Sequence, residues 1–163
     1  MILGLSTSLF TQIHVAISLV GIAAGIAAIA AAASGRHTPG WTALFLATTA
    51  LTVATGFAFP TGSLTPAQIF GIIATPVLLL AAFALYGRHL AGPWRPAYVV
   101  AAVLALYLNS FVLIVQAFQK LPPLQALAPT QSEAPFLVAQ IALLLLALVA
   151  GTQVWRRYHP TLN

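Results

Sequence analysis

Five long apolar runs divide the chain, and its charged residues fall in the gaps between them. No Asp, Glu, Lys or Arg occurs from Met1 to Gly35, and none from His37 to Gly87. A bilayer core about 30 Å thick needs about 20 apolar residues per helical span, and each run meets that length. The first span is expected from Phe10 to Ala33, ending at the breaker cluster Ser34-Gly35-Arg36-His37-Thr38-Pro39-Gly40. The second runs from Trp41 to Phe59, the third from Ala67 to Tyr86, the fourth from Ala97 to Gln119 and the fifth from Phe136 to Trp155. Leu121 to Ala134 reads as a loop. Backbone groups in lipid must bond within their own segment, so runs of this length are helices. Leu143-Leu144-Leu145-Leu146 lacks the alternation of a membrane β-strand. The expected fold is all-α: one domain, residues 1–163, forming a five-transmembrane-helix bundle.

Orientation follows from Lys and Arg in the short loops. One side of the bundle receives Arg36, Arg88, Arg95, Arg156 and Arg157; the other holds only Lys120. This bias predicts a periplasmic N-terminus and a cytoplasmic C-terminus in a bacterial inner membrane. Trp41, Trp94 and Trp155 lie at the Arg-rich boundary, where an aromatic belt is expected, and Tyr86, Tyr98 and Tyr158 are expected to join them.

Composition sharpens the class. Charged residues are 4% of the chain and hydrophobic ones 61%, against about 25% charged in soluble domains. The formal net charge of +5 comes from scattered cations that form no basic patch, so the expected surroundings are lipid and not nucleic acid. Cys is absent, which removes disulfides, thiolate metal sites and Cys nucleophiles. Met1 to Ala33 lacks a basic leader region and reads as a retained first helix.

Small and hydroxylated residues predict close packing. Ser18, Gly21, Gly25, Ala28 and Ala32 recur every three or four positions on span one. Gly21-x-x-x-Gly25 permits close helix approach, either inside the bundle or as a seam for self-association or a partner. Thr48, Thr52 and Thr55 share a face of span two and are expected to bond their own i−4 carbonyls or a neighbouring helix. A polar pathway is the other reading. Pro76 is expected to kink span three.

The polar residues within the spans collect toward the side of the N-terminus. Gln12 and His14 open span one, and Gln68 opens span three. Asn109, Gln116 and Gln119 share a face of span four, and Gln140 lies one turn into span five. Amides against lipid are costly, so this face should point inward. His14, Asn109, Gln116 and Gln140 form the candidate pocket. Three readings stand: an interhelical hydrogen-bond cluster, a pocket for a quinone headgroup or another polar-headed molecule, and a docking surface for a larger complex.

His14 carries the sharpest chemistry, because imidazole ligates haem iron or hydrogen-bonds a quinone carbonyl. A bis-His haem needs a second His at similar depth, yet His37, His89 and His159 all belong to the opposite boundary, and Met1 is the only Met. Glu133 is the only acid and lies in the loop that follows Lys120. A Lys120–Glu133 pair clamping that loop is expected. The lack of an intramembrane carboxylate counts against proton-coupled transport. No Ser–His–Asp set, phosphate loop or HExxH motif is present, so neither catalytic residues nor a metal site are expected.

His14 early in span one and the motifs Gly35-Arg36-His37-x-x-Gly40-Trp41, Gly56-Phe57-x-Phe59-Pro60, Ala105-Leu106-Tyr107-Leu108-Asn109 and Ala128-Pro129-Thr130-Gln131-Ser132-Glu133-x-Pro135-Phe136 are spread along most of the chain's length. In these the sequence resembles uncharacterised small bacterial inner-membrane proteins. The resemblance implies a five-helix membrane protein and brings no activity with it. The expected function is a non-catalytic accessory or assembly subunit, associating with a larger membrane complex or with itself. The alternatives are a quinone- or haem-associated redox protein and a small-molecule carrier.

Overall fold

Ser6 starts the first helix: its hydroxyl accepts a hydrogen bond from the Leu9 amide, occupying a donor that the helix itself cannot pair. A computed structural model of the chain describes residues 1–160. The helices are α1 (Thr7–Ala33), α2 (Pro39–Phe57), α3 (Pro66–Ala82), α4 (Trp94–Lys120), α5 (Pro122–Leu127) and α6 (Ala134–Arg157). A π-helical turn, Phe83–Gly87, extends α3. Among the described residues, five helices are long and apolar enough to cross a membrane: α1, α2, α3 with its π turn, α4 and α6. The short α5 occupies the stretch expected to be a loop. Pro122 and Pro123 explain it, because proline at the first helical positions presets φ and surrenders only an N–H that would lack a partner.

Local chemistry sets the other ends. α1 stops in a Schellman motif, with the Arg36 amide donating to the Ala31 carbonyl and the Gly35 amide to the Ala32 carbonyl. Gly35 supplies the positive φ of 75° that this motif requires. Thr65 and Gln68 form a capping box at the start of α3.

α1 and α4 form the centre. α1 packs against α2, α4 and α6; α4 packs against α1, α3, α5 and α6; α2 also meets α3. Successive spanning helices run in opposite directions, so the bundle has two poles. One holds the N-terminus, Lys120 and Glu133; the other holds the α1–α2 turn and the end of α6. The contiguous core belongs almost wholly to the second pole. Its members include Ala24, Ile29 and Ala32 of α1, Phe45 and Leu46 of α2, Leu78 and Ala81 of α3 with Ala84 and Leu85 of its π turn, Tyr98, Val99, Ala102 and Ala105 of α4, and Val154 and Tyr158. Toward the N-terminal pole most inward positions are only half-buried, Ile2, Phe10, Phe118 and Ala128 being the buried ones near its end.

The small-residue face of α1 lies inside the bundle. Gly21, Gly25, Ala28 and Ala32 are all buried. A Cβ on Gly25 would stand 2.8 Å from both Leu106 Cδ1 and Phe45 Cδ2, and one on Gly21 would stand 3.0 Å from Thr48 Oγ1. Ser18, on the same helix, donates to its own His14 carbonyl. Pro76 is exposed and lines no interior space, and α3 stays helical across it.

Two expectations are corrected. Glu133 forms no ion pair with Lys120 among the described residues. Its carboxylate accepts instead from the Thr130 amide and hydroxyl and from the Ser132 amide, partners that lie within three residues and need no long side chain to be ordered. Tyr98 and Tyr158 do not join the aromatic belt. They are 4% and 2% exposed, whereas Trp41, Tyr86 and Trp155 face outward. Tyr98 shares its helical face with the buried Ala101, Ala102 and Ala105, so it turns inward with them.

Candidate functional site

Three of the four candidate residues have their surroundings defined by contacts, and each faces different partners. His14, on the second turn of α1, has its Nδ1 2.7 Å from Thr55 Oγ1 near the end of α2. The Thr55 hydroxyl already donates to the Leu51 carbonyl at 2.7 Å. A hydroxyl has one proton, so while it serves the Leu51 carbonyl the Thr55 oxygen accepts from His14 Nδ1. In that arrangement the lone pair of the imidazole is on Nε2. The ring also stands edge-on to Phe59, with centroids 5.3 Å apart, and Phe59 stands edge-on to Phe10.

Asn109 sits deeper, on α4. Its Nδ2 is buried without a protein partner and lies 3.5 Å from the position of the Cβ that Gly21 lacks. Thr49 Oγ1 lies 3.2 Å from the same point and is likewise unpartnered. Thr48, Thr52 and Thr55 each donate to their own i−4 carbonyl, as expected; Thr49 does not. A buried polar group left in this way costs about 1–3 kcal/mol.

Gln140 on α6 reaches α4, where its Nε2 donates to the Phe111 carbonyl at 3.4 Å, while its Oε1 is buried and unpartnered. Gln116 is half-buried on α4. No hydrogen bond joins any two of His14, Asn109, Gln116 and Gln140 among the described residues. The remaining polar residues have separate places. Gln12 is exposed. Gln119 donates to Gln131, which reaches back to the Val115 carbonyl. Gln68 serves the α3 cap: its Oε1 accepts from the Thr65 amide and the Thr61 hydroxyl. The spacing Thr65-x-x-Gln68 before an apolar run was the signal for that role.

The opposite pole holds a polar knot built from residues expected at the membrane boundary. His37 Nδ1 lies 2.6 Å from the Tyr158 hydroxyl. The Arg95 guanidinium donates to the carbonyls of Trp155 and Tyr158 at 3.1 and 2.9 Å. These carbonyls end α6, where the helix has no further amides to offer and where positive charge is favourable. Arg95 also lies over the Trp155 ring, 5.9 Å from its centroid. The Tyr98 and Tyr158 rings are neighbours, with centroids 6.1 Å apart. Burial holds the His37 imidazole below its ordinary value. Burial first, and the Tyr98 phenol second, push the Tyr158 hydroxyl well up. Both groups are therefore neutral near pH 7, and the knot is a neutral hydrogen bond beside a cation that caps a helix.

Compared with protein-family models, curated proteins and solved structures, the chain matches none.

Proposed function

We propose that the protein is a non-catalytic integral protein of the bacterial inner membrane, an accessory or assembly subunit that associates with a larger membrane complex or with itself. The observation that carries this reading is the state of α6. Only Val154 of its 24 residues is buried. Its inward edge is partly small, with Ala139, Ala147, Ala150 and Gly151 half-buried, while Leu137, Val138, Ile141, Leu144, Leu145, Leu148 and Val149 face outward. This outward face is apolar and exposed, open to a second helix as well as to lipid.

The reading is tested by crosslinking in the native membrane, followed by purification in mild detergent. The expected product is larger than one 17.0 kDa chain and free of haem absorption. A chain that remains wholly monomeric overturns the proposal. A second reading, a redox protein with a bound quinone or haem, draws on the unpartnered Asn109 Nδ2 and Gln140 Oε1 and the lone pair assigned to His14 Nε2. Quinone in a lipid extract of the purified protein, lost in the double variant Gln116→Leu/Gln140→Leu, would favour it.

The charge bias supports a cytoplasmic C-terminus. A cytoplasm-active reporter fused after Asn163 should be active and a periplasm-active one silent; the reverse result would refute the orientation.

A further inference from the structure

Thr38 stands at the N-cap of α2, where a threonine ordinarily accepts a hydrogen bond from an amide of the first turn. Here its side chain makes no such bond. Its Oγ1 is buried and has no protein partner. It borders a cavity of about 10 Å³ beneath the α1–α2 turn, lined also by Arg36, Thr42, Tyr98, Tyr158, Val99 and Val154. That volume is at the threshold for holding one water molecule, roughly 10–15 Å³. The lining supplies several hydroxyls, and a buried water typically needs two to four polar partners.

We propose that this cavity is a specific site for a single water molecule, which joins the α1–α2 turn to α4 and α6. The donors and acceptors balance. Neutral His37 accepts the Tyr158 proton at Nδ1, which leaves the Tyr158 oxygen with a lone pair facing the cavity. The Thr38 hydroxyl donates to the water. The water donates to the Tyr158 oxygen and, with its second proton, to the Thr42 or Tyr98 hydroxyl. Thr38 thus gives up the capping bond to serve as one wall of the site. The water extends the His37–Tyr158 pair into a chain that crosses the pole of the bundle.

The test combines a crystal structure of the full chain in a lipid phase, at a resolution that shows water, with melting temperatures of Thr38→Val and Thr38→Ser. The expected density peak lies about 2.6–3.2 Å from Thr38 Oγ1 and from at least one further hydroxyl. Thr38→Ser keeps the peak and the melting temperature. Thr38→Val loses the peak and melts about 2–4 °C lower, because the water's other partners lose their bridge. In a dry cavity the signs reverse: an isosteric valine removes a buried unpaired hydroxyl, and Thr38→Val melts higher. Absence of the peak in the wild type, or a higher melting temperature for Thr38→Val, overturns the proposal.

Discussion

Gly25→Leu is expected to leave little folded protein. A single added Cβ already meets Leu106 Cδ1 and Phe45 Cδ2 at 2.8 Å and Phe45 Cε2 at 2.9 Å. Leu106 has rotamers to move into, but the Phe45 ring is fully enclosed at 0% exposure. Relief therefore requires α1 to move away from α2 and α4, which opens the core cluster that these helices share. Overpacking a tight interior costs about 1–3 kcal/mol, and leucine at Gly25 should reach or exceed the upper end. The fraction of monodisperse protein surviving a thermal ramp, read by fluorescence size-exclusion chromatography, measures it. Gly62→Ala is the control, since a Cβ there meets nothing within 4 Å. A wild-type melting temperature for Gly25→Leu would mean that α1 is not seated as described.

Tyr158→Ala should be nearly as damaging. Removing a buried aromatic ring costs about 3–5 kcal/mol, and this ring lies beside that of Tyr98 in the core cluster that also holds Val99 and Val154. The comparison with Tyr158→Phe divides the loss. Phenylalanine keeps the ring and forfeits only the His37 bond, a difference of about 0.5–1.5 kcal/mol. In both variants Arg95 still reaches the backbone carbonyls at Trp155 and residue 158. The expected order of melting temperatures is wild type, then Tyr158→Phe, then Tyr158→Ala by a wide margin. Equal losses in the two variants would assign the stability to the hydroxyl and not to packing.

The spans were legible because lipid imposes one strong rule: apolar runs are helices, and charge marks where they end. Helix ends differ from expectation by a few residues where caps and prolines act, as at Ser6, Pro39, Pro66 and Pro135. The side each residue faces was less legible. Tyr98, Tyr158 and Tyr86 share a boundary in sequence, but only the first two turn inward. For Tyr98 the alanine stripe at i+3, i+4 and i+7 was a readable signal. For Tyr158, beyond the end of α6, there was none, because its place depends on Arg95 and His37, far away in the chain. Amides toward the N-terminal pole were legible as a group, but their partners were not. Gln140 bonds a backbone carbonyl and His14 bonds a threonine, and backbone partners leave no mark in the pattern of side chains.

The confinement of the core to one pole has a mechanical consequence. Helices held tightly at one end and loosely at the other pivot about the held end. Thermal displacement then grows along each helix with distance from Phe45, Ala81, Ala84 and Ala102, the residues of 0% exposure in the core cluster, and local opening begins where buried contacts are fewest. A lateral gap between α6 and its neighbours would therefore form first near Gln140 and Gln116 and close before reaching Val154. Lipid tails entering that gap would meet the unpaired amide oxygen of Gln140, while the knot at the opposite end stayed closed to them and fixed.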